Sequence, residues 1–299
     1  MRLALIFDKR RDDTVGIYFE RACRRLGIAA DHFWMRDAQR IPAGYALYLR
    51  IDHGDYALDL PAHLRPRVFY ATDTHLPKPW KRIRATARGY DLVCCAQRLG
   101  AEALPNGAWV PLACDPDVHQ RVEEPALWDL GCVGTDGGVP RKFYLQALRE
   151  RYPNSRLGLA PHAEMGAVYG RSRLGFNYSI RDDVNMRIFE ILSCGTLLLT
   201  NRLRHDDLER LGLRDREHLA LYRTPRELFE LIDYYLAQEA PRRAIAARGM
   251  AHVHQGHTYV HRLEQILREA SERLGVRLTS EAVSGTMPNQ TDAEPLRGA

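Results

Sequence analysis

An α/β chain of two lobes in series, with helices at its C-terminal end, follows from two patterns in the 299 residues. Short apolar runs alternate with helical periodicity through the first half, which marks a parallel sheet built from βαβ units. After a proline-broken segment near residues 111–125 the same alternation starts again. A single core stops growing near ~250–300 residues, so a chain of this length favours two lobes.

Residues 3–7 (Leu-Ala-Leu-Ile-Phe) read as the first strand, and 15–26, closed by Gly27, as the helix behind it. Further strands are expected at 46–49, 68–71, 92–95 and 109–110, with helices over 81–88 and 97–104. The second series opens with a strand at 129–134 that runs into the glycine-bearing loop Thr135-Asp136-Gly137-Gly138-Val139-Pro140. A helix over 141–151, a strand at 156–160, a helix over 162–169 and a strand at 174–178 follow. Next come a helix over 186–194, capped by Gly195, and a strand at 196–200. Beyond Thr224 the periodicity predicts helices over 227–237, 241–250 and 259–274. The division expected is an N-terminal Rossmann-like lobe over 1–125, a C-terminal lobe over 128–255, a terminal helix over 256–275 returning toward the first lobe, and a disordered tail over 276–299, where no apolar period survives.

Hydrophobic content of 45% and charged content of 27% are those of a globular chain. The net charge is +5, but the basic residues are interleaved with 38 acids, so no nucleic-acid stripe is indicated. Apart from Lys9, Lys78, Lys81 and Lys142 the cations are arginines, which suit phosphate recognition; a GC-rich genome gives the same bias. The six cysteines lack CxxC spacing and sit mostly in apolar runs, so neither a disulfide nor a zinc knuckle is expected. No apolar run reaches ~18 residues, and the first is broken by Asp8-Lys9-Arg10-Arg11. A cytoplasmic protein is the expectation, with peripheral membrane contact left open.

The most informative stretch is Asp182-Asp183-Val184-Asn185-Met186-Arg187-Ile188-Phe189-Glu190, followed by Cys194-Gly195 and a buried strand. If Asn185 caps the helix, the N–H groups of Met186, Arg187 and Ile188 face outward at the end of the preceding strand, a ready site for a pyrophosphate. Arg187 and Glu190, three apart, share the face opposite the apolar one. A glutamate there can accept two hydrogen bonds from a ribose diol; the alternative is a solvated Arg–Glu ion pair. In the first lobe, Asp73 and His75 follow an apolar strand where open sheets expose functional groups. Asp73 is placed to hold His75 as a base toward an acceptor hydroxyl, or else to cap a turn with His75 exposed. Gly16 either lets the backbone approach a ligand or simply starts a helix.

Asn-x-Arg-x-Phe-Glu with Cys-Gly, together with Val133-Gly134-Thr135, Arg141, the run from Tyr169 to Asn177 and His257-Thr258-Tyr259-x-x-Arg262, resembles the CgeB-like spore-maturation glycosyltransferases, relatives of the retaining group-1 enzymes. The resemblance spans about residues 129–267. It implies the GT-B fold, a donor that is a nucleoside diphosphate sugar, transfer without a metal or other cofactor, and an acceptor bound by the N-terminal lobe. It also implies that Glu190 holds the ribose and that Arg187 and Arg141, with the loop at Gly134 and Thr135, meet the diphosphate. Asp182, eight residues before Glu190, stands where the family carries a sugar-contacting glutamate, so the first acid is shortened. A sugar-nucleotide epimerase and a non-catalytic nucleotide-sugar-binding component are the rival readings. Asp115-Pro116-Asp117 and the histidines at 252, 254, 257 and 261 have the look of metal motifs but sit in unsuitable surroundings, and no metal site is expected.

Overall fold

The computed structural model describes residues 1–276. Two parallel sheets face each other across a cleft. The first lobe contains β1 (Arg2–Ile6), α1 (Val15–Arg25), β2 (Ala29–Phe33), β3 (Leu47–Ile51), β4 (Arg67–Ala71), α2 (Pro77–Ala87), β5 (Leu92–Cys95), α3 (Arg98–Glu102) and β6 (Gly107–Trp109). Its strand order is β2-β1-β3-β4-β5-β6. The second contains β7 (Trp128–Val133), α4 (Arg141–Arg151), β8 (Ser155–Gly158), α5 (Met165–Gly170), β9 (Ser172–Phe176), α6 (Met186–Ser193), β10 (Leu197–Asn201), α7 (Asp207–Arg210) and β11 (Ala220–Tyr222). Its order is β11-β10-β9-β7-β8. Helices α8 (Pro225–Ala237), α9 (Glu239–Gly256) and α10 (Tyr259–Leu274) complete the chain.

Strands β3, β4 and β5 are buried at every position, which is why their sequences are mainly apolar; the two exceptions, Arg50 and Arg67, are buried with polar partners, Asp59 and Leu60 O. Several elements carry no such signal. β2, Ala-Ala-Asp-His-Phe, lies at the sheet edge and is only part-buried, so its polar residues are tolerated. β11 is three residues long, and the segment Met35–Arg40 forms a 3-10 helix.

The chain crosses between lobes twice, and the crossings are stitched together. Cys114 N donates to His257 O at 3.1 Å and Tyr259 N to Cys114 O at 3.0 Å. Arg262 is buried and its Nε donates to Pro111 O at 2.9 Å. Helix α10 thereby lies against α1 and β5 of the first lobe, with Tyr259 stacked on Tyr18. Across the cleft, the Gln97 amide accepts from Val184 N (2.9 Å) and donates to Val184 O (3.3 Å), while Arg98 pairs with Asp207 at 2.6 Å. All six cysteines are buried and unpaired with one another. No described helix is long and apolar enough to cross a membrane. The tail expected to be disordered lies, from residue 277 on, outside the described residues.

Candidate functional site

The connection from β9 to α6 shapes the site. Arg181 (φ 56) and Asp182 (φ 62) are consecutive left-handed residues without being glycine, an arrangement that costs of order 1–3 kcal/mol each and clusters at functional positions. The reversal they produce delivers Asp183, Val184 and Asn185 to the start of α6. Asn185 occupies the N-cap position but does not cap: its Nδ2 donates to Ser179 Oγ at 3.4 Å, and its Oδ1 is buried without a partner. The capping expectation is corrected on that point, because Ser179 engages the amide. The first N–H groups of α6, at Met186 and Arg187, have no acceptor within the helix.

These residues open onto a cavity of about 740 Å³ between the lobes. Gly134, Thr135, Arg141, Asn185, Met186, Arg187, Glu190 and His75 all line it. Ile188, Phe189, Ile191 and Leu192 are buried beneath, as the amphipathic reading of α6 requires. Arg187 Nε donates to Val133 O at 2.9 Å and its Nη1 to Asn177 Oδ1 at 3.0 Å, which holds the guanidinium across Gly134. A side chain at Gly134, whose φ is +136°, would meet Arg187 Nη2. Arg141 is folded into the loop that precedes it, its Nε donating to Asp136 O at 3.2 Å, and burial together with the nearby Arg187 lowers its pKa. Neither arginine has a carboxylate within ion-pair distance among the described residues, in a molecule where most cations have one. Two guanidinium groups without carboxylate partners beside a helix N-terminus have the chemistry to bind an anion.

Glu190 is 5% exposed and forms no ion pair with Arg187, so the solvated-pair alternative is set aside. Burial pushes its pKa up to about 7, against the pull of Arg187. Behind it stands His119, which is fully buried. Asp115 N donates to His119 Nδ1 at 3.0 Å, so the other nitrogen carries the proton and points at Glu190 Oε1, 3.7 Å away. Burial holds His119 neutral, its pKa pushed down to about 3. Tyr18 Oη and His162 Nδ1 are also buried without partners near this wall. Unmet hydrogen-bonding capacity at one face of a cavity is a mark of a ligand surface.

Three expected residues stand elsewhere. Asp182 lines a neighbouring cavity of about 390 Å³ and is tied to Arg204, accepting from its backbone N–H and pairing with its Nε, both at 3.1 Å. The left-handed pair turns Asp182 away and brings Asp183 to the larger cavity in its place. Asp73 does not hold His75; it is exposed and lines a third cavity with Asp52 and His53. The carboxylate nearest the His75 imidazole is that of Asp183, with Nε2 and Oδ2 3.8 Å apart. Gly16 is buried in α1, where any Cβ would overlap the Phe7 ring; it permits helix–strand packing and does not line the cavity.

Residues without a sequence signal complete the walls. Arg10, Arg11 and Asp13 come from the β1–α1 loop and His162 from the loop before α5. Their positions depend on loop paths that no periodicity encodes. The metal-like motifs are consumed structurally: Asp115 and Asp117 pair with Arg25 of α1. His252 and His257 both meet Leu211 O, His254 meets Ser193 Oγ at 2.9 Å, and His261 caps α10 with Thr258. No group of three or more metal-ligating side chains occurs among the described residues.

Residues 121–268 match a protein family described as glycosyl transferase-like. No curated protein is significantly similar to the chain in sequence. Solved structures share the fold. The phage T4 enzyme BGT, solved with its UDP-glucose substrate, is 10% identical at a TM-score of 0.57, covering 93% of this chain and 100% of its own. Anabaena HepE, solved with UDP and glucose, is 12% identical at 0.58, over 90% of this chain and 99% of that one. Sucrose-phosphate synthase from Thermosynechococcus elongatus is 11% identical at 0.58, over 91% and 100%.

Proposed function

We propose that this chain, a glycosyltransferase-like protein of GT-B fold, transfers a sugar from a nucleoside diphosphate to a hydroxyl acceptor in the interlobe cleft, without a metal. The enzyme class rests on the family segment at 121–268 and on the fold. The donor assignment rests on one observation: Arg187 at Gly134 and Arg141 at Asp136, neither with a carboxylate partner among the described residues, line one cavity with the N-terminus of α6 and the buried Glu190. The diphosphate lies against the two guanidinium groups and the N–H groups of Met186 and Arg187, with Thr135 and the Gly134 backbone close by. Glu190 accepts the ribose hydroxyls, with His119 Nε2 behind it at 3.7 Å. The base rests on the apolar surface of Leu159 and Ala160.

Chemically, departure of the nucleoside diphosphate places negative charge on its terminal phosphate. Fixed arginines and a helix dipole stabilise that charge with no reorganisation, the task a metal performs elsewhere. The acceptor hydroxyl approaches from the side of His75. The flanking motifs favour the CgeB-like branch of the family.

Calorimetry with uridine, UDP and UDP-glucose tests the donor site. Arg187→Ala should weaken UDP more than uridine, and Glu190→Ala should weaken both by roughly 1.5–3 kcal/mol. Equal losses for uridine and UDP in Arg187→Ala would remove the phosphate role. Transfer that ceases with chelator and returns with manganese would overturn metal independence.

A further inference from the structure

Among the described residues His75 alone lines both the 740 Å³ cavity and the 390 Å³ cavity beside it. It comes from the loop after β4 in the first lobe, and Asp183 comes from the loop before α6 in the second. Their side chains are 14% and 10% exposed, with Nε2 and Oδ2 3.8 Å apart. Among the described residues, His75 Nδ1 and Asp183 Oδ1 each lie buried without a partner, as do the neighbouring Thr74 Oγ1 and Asn185 Oδ1. The wall between the two cavities thus holds four unmet polar atoms and an imidazole that lines both.

We propose that His75 and Asp183 form a proton-accepting pair, one member from each lobe, that receives the proton of an acceptor hydroxyl entering through the smaller cavity. The inference rests on the donor reading above. In the step, the acceptor oxygen forms its bond to the anomeric carbon as the bond from that carbon to the phosphate oxygen breaks, the electron pair leaving with the diphosphate. The acceptor proton passes to His75 Nε2, since Nδ1 is enclosed, and the imidazolium so formed is held by the Asp183 carboxylate, 3.8 Å from the same nitrogen. Asp183 is therefore a positioning residue.

Charges around the pair set its pH response. Arg181, Asp182, Arg204 and His205 face the smaller cavity, and Arg141 and Arg187 act on Asp183 from the larger one. Burial, with Arg181, keeps His75 neutral by pushing its pKa down to about 4, and burial pushes Asp183 up to about 7. The carboxylate is ionised above that value, so proton acceptance improves as pH rises through it.

The test uses the full chain with nitrogen-labelled histidine imidazoles, the His75 signals being identified by their loss in His75→Gln. An inflection of the His75 shifts near pH 7 is expected, because the ring reports ionisation of its neighbour. It should vanish in Asp183→Asn and persist in Asp183→Glu. A flat profile between pH 6 and 8, or an inflection that survives in Asp183→Asn, overturns the pairing. In parallel, His75→Gln and Asp183→Asn should each slow turnover of UDP-glucose by ~10²–10⁴-fold at unchanged UDP affinity. Turnover retained in either variant overturns the proton role. Absence of UDP binding in the wild-type chain strikes the donor reading instead, and the imidazole titration still decides the pairing.

Discussion

Glu190 carries opposing demands on stability and binding. Its pKa is raised by burial to about 7 in the folded state, so the stability it contributes is full below its ordinary value of 4.5 and is lost as pH rises through 7. Glu190→Gln removes that dependence. The variant should be more stable than wild type at pH 8, by up to roughly 3 kcal/mol, with the difference gone near pH 4.5. Denaturant unfolding at the two pH values checks this; equal stability at pH 8 would mean the carboxylate is not buried. Ribose hydroxyls donating to the carboxylate favour its charged form, so wild-type UDP affinity should fall as pH drops below 7 and that of the variant should not. The sequence made Glu190 and Arg187 legible because a helix face has a fixed period. It pointed to Asp182, whereas Asp183 lines the larger cavity, because the turn between them rests on two left-handed residues with no glycine to announce them. The Asp73–His75 pairing was misread for a related reason: a partner from the other lobe is invisible in local spacing.

At the level of elements, glycines at two positions perform different tasks and can be separated. Gly134→Ala places a methyl group against Arg187 at a backbone angle that side chains rarely adopt. It should weaken UDP binding tenfold or more by displacing the guanidinium, about 1.4 kcal/mol. Gly16→Ala drives a methyl group into Phe7 and should cost about 1–3 kcal/mol of stability while leaving UDP affinity within twofold. Calorimetry and thermal melting on both variants distinguish the roles; a UDP defect in a folded Gly16→Ala would return that residue to the site. The central strands and α4, α6 and α10 were legible because burial and periodicity agree there. The edge strand β2 and the short β11 were not, since an edge position asks little of its sequence and three residues show no period.

Across the whole molecule, two kinds of contact fix the lobes relative to each other. Gln97→Ala leaves the Val184 N–H and C=O without their side-chain partner in a buried place, at a cost of roughly 1–3 kcal/mol. The variant should melt earlier and also bind UDP more weakly, since Val184 leads directly into Asn185 and Met186. A melting temperature equal to wild type would show that the bridge is not formed in solution. The return of α10 is a larger matter. Its residues Tyr259, Leu263, Ile266, Leu267 and Ala270 are buried in one apolar core with Tyr18 and Phe19 of α1. Chains usually complete an N-terminal unit as it leaves the ribosome, before the next is made. Here the first lobe cannot cover α1 until residue 274 has been synthesised, after the entire second lobe. The half-made protein must therefore carry an uncovered apolar helix through most of its translation, and slower elongation near the 3′ end of its message would lengthen that exposure without altering the finished fold.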